Sequence, residues 1–101
     1  MGERIKVTAV SEIPDHQSKI VEVQGSQVAI FNLGSQFCAI ENLCPHRGGP
    51  VGEGDLDGNI VTCPWHGWQF DVTTGVSPVN PAAKVKTFPC KVAGNDICIE
   101  V

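Results

Sequence analysis

An all-β fold, an antiparallel β-sandwich or barrel, is what this sequence predicts, on three observations. Short segments rich in β-branched and aromatic residues recur along the whole chain. Turn-forming groups of Gly, Asn, Asp and Ser separate most of them. No window of a dozen residues carries a convincing helical period. Taken in order, the expected strands are Ile5 to Val10, Ile20 to Val23, Val28 to Asn32, Phe37 to Ile40, Ile60 to Thr62, Trp68 to Val72, Val85 to Phe88 and Ile97 to Val101. Gly25-Ser26 falls between the second and third, and Gly34-Ser35 between the third and fourth. Asp57-Gly58-Asn59 precedes the fifth, Thr74-Gly75 follows the sixth, and Gly94-Asn95 precedes the last. Such a succession of short strands and tight turns belongs to layered antiparallel sheets.

Length and charge narrow the function. A chain of 101 residues has material for one core, so a single domain over 1–101 is expected, and a multi-step enzyme is not. Eleven Asp and Glu against seven Lys and Arg leave a net charge of -4. That balance excludes the basic stripe of a nucleic-acid binder and suits docking to a basic protein patch. The segment Met1 to Val7 lacks the apolar region of a secretory signal, and no stretch approaches the roughly 20 apolar residues of a membrane helix. Five cysteines, at 38, 44, 63, 90 and 98, do not form the even framework of a disulfide-stapled secreted domain. The expectation is a cytoplasmic protein with cysteines available to metal, and with neither nucleic acid nor membrane as partner.

Three stretches break the strand rhythm. Leu43 to Asp55 and Cys63 to Gly67 read as two loops that carry much of the glycine and most of the unusual chemistry. Val76 to Ala83 contains Pro78 and Pro81, which stiffen a third loop able to lie over the other two. Within the first two loops, Cys44-Pro45-His46 and Cys63-Pro64-Trp65-His66 each pair a thiolate with an imidazole. The Asp57-Gly58-Asn59 turn between them can fold the chain back and bring the half-sites together. Two thiolates and two imidazoles suit either a structural zinc clip or an iron-sulfur centre. The surroundings favour the second, since bridging sulfides require backbone N–H donors and close approach of the chain. Gly48, Gly49 and Gly67 flank the histidines, and Pro45, Pro64, Trp65 and Trp68 supply stiffness and an apolar wall.

The strings CPHRGG and CPWHGWQFD, with their spacing, closely resemble the two ligand loops of the Rieske family. The resemblance extends to the Pro-containing loop and, more loosely, to the strand rhythm. It implies a cluster-binding subdomain made of two ligand loops within about 43–67 and a Pro-containing loop at about 76–83. It also implies one [2Fe-2S] cluster, with Cys44 and Cys63 on one iron and His46 and His66 on the other. Two neutral imidazoles in place of two thiolates make the cluster less negative and easier to reduce, within a family range of roughly -150 to +300 mV. High-potential members carry an extra cysteine in each loop and hydroxyl donors beyond the second. Here those positions hold Gly49, Trp65, Trp68 and Phe70, so the low end of the range is expected.

The resemblance implies a role as well. Similar small Rieske ferredoxins relay electrons from an NAD(P)H-dependent flavin reductase to a terminal oxygenase in ring-hydroxylating dioxygenase systems. A second reading is the small subunit of a larger oxidoreductase such as assimilatory nitrite reductase, and a structural Cys2His2 zinc module is a third, of a different class. A catalytic Rieske oxygenase would need a further mononuclear iron site, usually two histidines and a carboxylate. The chain has three histidines, and once His46 and His66 are assigned only His16 is left. An electron carrier, not an enzyme, is therefore expected, and a monomer is the simplest state for a carrier that meets two partners in turn. The remaining candidates have plainer roles: Cys38, Cys90 and Cys98 as small core residues, His16 as a surface residue, and Glu53, Asp55 and Asp57 as a solvated turn. Arg47, beside His46, is open to two readings, a residue that steers a partner or a merely exposed one, of which the first is preferred.

Overall fold

A computed structural model of the chain describes residues 4–34, 36–42, 51–64, 67–79 and 83–100. Its strands are β1 (Arg4–Ala9), β2 (Ser18–Val23), β3 (Ser26–Asn32), β4 (Phe37–Glu41), β5 (Asp55–Asp57), β6 (Ile60–Thr62), β7 (Gln69–Asp71), β8 (Thr87–Phe88), β9 (Cys90–Ala93) and β10 (Asp96–Glu100). They form three antiparallel sheets with orders β1-β10-β9, β2-β3-β4-β8 and β5-β6-β7. Among the described residues the only helical pieces are 3-10 turns at Val10–Glu12 and Val51–Glu53. No helix of the described residues is long and apolar enough to cross a membrane.

The central sheet, β2-β3-β4-β8, is covered on both faces because its middle strands are apolar on both. Successive side chains of a strand point to opposite sides. In β3, Val28 and Ile30 pack with Ile13, Ala39, Ile97 and Ile99 in one core. Ala29 and Phe31 pack with Ile40, Val51, Val61, Phe70, Val72 and Val85 in another. Val28, Ala29, Ile30 and Phe31 are all fully buried. The first core joins the central sheet to β10. The second joins it to β6 and β7, and so seats the three short strands of the third sheet.

Tight turns occur close to the expected places. Val23 opposes Ser26, so the β2–β3 hairpin turns on Gln24 and Gly25, one residue earlier than expected. Both have positive φ, +51° and +83°, as a two-residue turn of this hand requires. Gly58 and Gly94 stand first in the two-residue turns of β5–β6 and β9–β10, at φ +61° and +63°.

Two strands depart from expectation. Asp55–Asp57 is a strand paired with β6, not a solvated turn: Asp55 and Asp57 are exposed while Leu56 packs against the second core. Cys90–Ala93 pairs with β10 at a sheet edge with most of its residues exposed. Both are short edge strands, for which polar, solvated side chains are normal and no apolar run is needed. The expected strand Val85 to Phe88 contracts to Thr87–Phe88, and Val101, the expected last residue of the final strand, lies outside the described residues.

Candidate metal centre

Of the four candidate ligands, Cys63 lies among the described residues; Cys44, His46 and His66 lie outside them, as do Pro45, Arg47, Gly48, Gly49, Trp65 and Pro81. Cys63 follows β6 directly, is 1% exposed, and belongs to the second core beside Val61 and Phe70. A soft thiol in an apolar, water-excluding wall fits a sulfur-preferring group such as an iron-sulfur cluster. Trp68 packs against the same core. Phe70 is fully buried within it.

The frame around the ligand loops is described in full. The first loop leaves the central sheet after Asn42 and returns at Val51. Across this neck the N–H of Gly52 donates to Asn42 Oδ1 at 2.6 Å. The second loop leaves β6 at Cys63 and returns to β7, and the N–H of Cys63 donates to the Trp68 carbonyl at 2.6 Å. Asp55, Thr62 and Gln69 lie in lateral register across β5, β6 and β7. The exit of the first loop and both ends of the second thus stand at one end of one small sheet. The turn 51–54 is wedged between layers: a Cβ on Gly52 would sit 2.7 Å from Ala29 Cβ, and one on Gly54 would sit 1.8 Å from the Thr62 carbonyl oxygen. Only glycine permits these approaches. The reversal expected at Asp57-Gly58-Asn59 is thus one turn of the β5–β6–β7 meander, which brings the neck of the second loop to the exit of the first.

Gly67 has a different reason to be glycine. Its φ is +72°, in the left-handed region that a side chain resists, and among the described residues no atom lies within 4 Å of where its Cβ would be. The third loop is closed at its neck by Val76 bridging Lys84 and by the Ser77 N–H donating to the Ala83 carbonyl at 2.9 Å. Val85 and Ala83, at the returning end, pack on the core that holds Cys63.

The other cysteines are not equivalent core residues. Cys98 is buried, but Cys38 and Cys90 are only half-buried and line a shallow cavity of about 310 Å³ with Phe37, Pro89 and Thr73. Burial, then the nearby Asp71 carboxylate, pushes the Cys38 thiol up. Burial, then Cys38 and Cys98, pushes Cys90 up to about 11. Both stay protonated near neutrality and make poor metal ligands, because the thiolate is the ligating form. Among the described residues no group of three or more His, Cys, Asp and Glu is placed to hold a metal ion. His16 sits on the surface at φ +60°, its Nδ1 3.0 Å from Asp15 Oδ2.

Sequence reasoning missed Asn42, Gly52 and Gly54. Their only sequence signal is position, next to the first loop's ends, because their partners lie on other strands.

Comparison with known proteins joins this frame to a family. A family model for the Rieske [2Fe-2S] domain matches residues 3–89. The ferredoxin component of a naphthalene 1,2-dioxygenase system from Pseudomonas aeruginosa is 33% identical over 98 residues, covering 96% of this chain and 94% of that protein. A chain in the complex of reduced oxygenase and oxidized ferredoxin of carbazole 1,9a-dioxygenase superposes with a TM-score of 0.87 at 31% identity, over 95% of this chain and 91% of that one. A protein provisionally assigned as the small subunit of an NADPH nitrite reductase superposes at 0.84 but is 21% identical, a likeness of fold alone.

Proposed function

This chain belongs to the Rieske [2Fe-2S] domain family, and we propose that it is a one-electron carrier holding its cluster through Cys44, Cys63, His46 and His66. The observation that carries the role is the near end-to-end match to the ferredoxin component of an aromatic dioxygenase system. That match spans 96% of this chain and 94% of the relative. The bound cluster supplies reversible one-electron chemistry at a neutral-to-anionic centre.

The protein's own residues do the rest. The second core buries Cys63 and packs Trp68 and Phe70 with it, which excludes water. The converging loop necks hold the two half-sites in one place through oxidation and reduction. With Gly49, Trp65, Trp68 and Phe70 where the resemblance puts the potential-raising groups of high-potential members, the midpoint belongs near the low end of the family range, about -150 mV. The donor is an NAD(P)H-dependent flavin reductase and the acceptor a terminal oxygenase of the ring-hydroxylating type. A small protein carrying net charge -4 is suited to meeting them in turn as a monomer in the cytoplasm.

The test is a redox titration of the purified protein followed by EPR. A rhombic signal of a half-reduced [2Fe-2S] centre with a low midpoint, reduction by such a reductase with NAD(P)H and reoxidation by a terminal oxygenase support the proposal. A colourless protein containing zinc would overturn it.

A further inference from the structure

We propose that Asn42 is a positioning residue for the cluster, a buried latch that sets the separation of the two ligand loops; the proposal rests on the Rieske reading above. Asn42 directly follows β4 of the central sheet, two residues before Cys44, and is 5% exposed. Every polar group of its side chain is used. Oδ1 accepts the Gly52 N–H at 2.6 Å, and Nδ2 donates to Gln27 Oε1 at 3.1 Å. Since a backbone N–H can only donate, the orientation of this amide is determined by chemistry. The Asn42 backbone N–H donates to the Gln27 carbonyl at 2.9 Å, so β3 holds the residue at two points.

Gly52 is gripped from the other side too. Ser18 Oγ donates to its carbonyl at 2.7 Å, and its α-carbon rests on Ala29 and Ile20 with no room for a Cβ. Two residues on, Gly54 lies against the carbonyl of Thr62, the residue before Cys63. A continuous mechanical path therefore runs from Gln27 through Asn42 and Gly52 to Gly54, Thr62 and the second ligand loop. Within it the Asn42–Gly52 hydrogen bond spans the neck of the first loop. A buried donor that loses its acceptor must move or stay unsatisfied. Loss of the Asn42 oxygen would thus let the turn 51–54 lift from Ala29, loosening Cys44 and His46 relative to Cys63 and His66.

Asn42→Leu keeps the branched outline of the side chain, with bulkier methyl ends, and removes the acceptor; Asn42→Asp keeps the acceptor, and exposed Gln27 can turn its amide to donate to the new carboxylate. Ile97→Ala, in the other core, controls for lost stability alone. The expected result is cluster loss about tenfold faster in Asn42→Leu, as for other residues that orient metal ligands. A broadened rhombic EPR signal should accompany it, with both effects restored by Asn42→Asp and absent from Ile97→Ala at matched distance below its melting temperature. Should Asn42→Leu fail to fold, Gln27→Ala, which removes only an exposed side chain, is expected to give the same broadening to a smaller degree. Unchanged signal and cluster lifetime in Asn42→Leu, equal loss in Ile97→Ala, or a silent Gln27→Ala beside an unfolded Asn42→Leu would overturn the latch while leaving the cluster reading intact. A wild-type protein without the rhombic signal would overturn both.

Discussion

The β5–β6–β7 sheet and the two sheets beneath it solve opposite problems with the same kind of strand. The lower pair is built on strands of up to seven residues and closes its own core from β3, β4 and β10. The upper sheet has three strands of three residues each, too few to stand alone, and takes Ala29, Phe31 and Ile40 of the central sheet as the floor of its core. Between residues 51 and 79 stand Glu53, Asp55, Asp57 and Asp71 and no Lys or Arg, while Arg47 and Lys84 flank that stretch and both signs of charge occur along the lower strands. Stability is thus concentrated in one region and chemistry in the other, as expected when binding loops are carried on a rigid scaffold.

The comparison can be broken most sharply at the cysteines. Cys63→Ser is expected to abolish the cluster's visible absorption and iron content, whereas Cys38→Ser and Cys90→Ser keep both; iron loss in either of the latter would move the metal centre out of the upper sheet. Next in size is the shared floor. Phe70→Ala should cost about 3–5 kcal/mol and release iron, whereas Ile97→Ala should cost about 2–5 kcal/mol and retain it, as read by denaturant titration with parallel iron assay. Similar iron loss in both would mean that the cores do not act separately.

Gly54→Ala tests the wedge between the loops. A methyl group directed at the Thr62 carbonyl forces a backbone shift, with an expected cost of about 1–3 kcal/mol and a displaced midpoint potential. A variant with wild-type stability and potential would refute the close packing of the two necks.

The smallest effect lies below the iron-bearing sheet. The Cys90 thiol, ordinarily ionising at 9.0, holds its proton in the fold to about 11. The folded state binds that proton more tightly than the unfolded chain. Its contribution to stability is whole below pH 9 and is lost as pH rises towards 11. Melting temperature should fall less steeply across that window in Cys90→Ala than in wild type; parallel curves would remove Cys90 from the account.

Much of the fold is legible without coordinates because its cause is local. Val28 to Asn32 announces a strand through β-branched and aromatic residues, and Gly58 and Gly94 mark turns because other residues resist positive φ. Asp55–Asp57 and Cys90–Ala93 are not legible, since an edge strand with solvated side chains has the composition of a loop. The metal centre divides in the same manner. Cys44, His46, Cys63 and His66 stand out through residue type and spacing, while Asn42 and Gly52 look ordinary, for their meaning is a contact across a neck.

By itself the sequence determined most of the strand-and-turn content, a candidate donor set and, through CPHRGG and CPWHGWQFD, the family, because each depends on chemistry carried by neighbouring residues. Tertiary structure alone decided that β3 is buried on both faces, that the ligand loops share one end of a sheet, and that Gly52 and Gly54 admit no side chain. These rest on strand register and on the approach of distant backbones, and a one-residue slip in pairing, which leaves composition untouched, would turn every side chain to the wrong face.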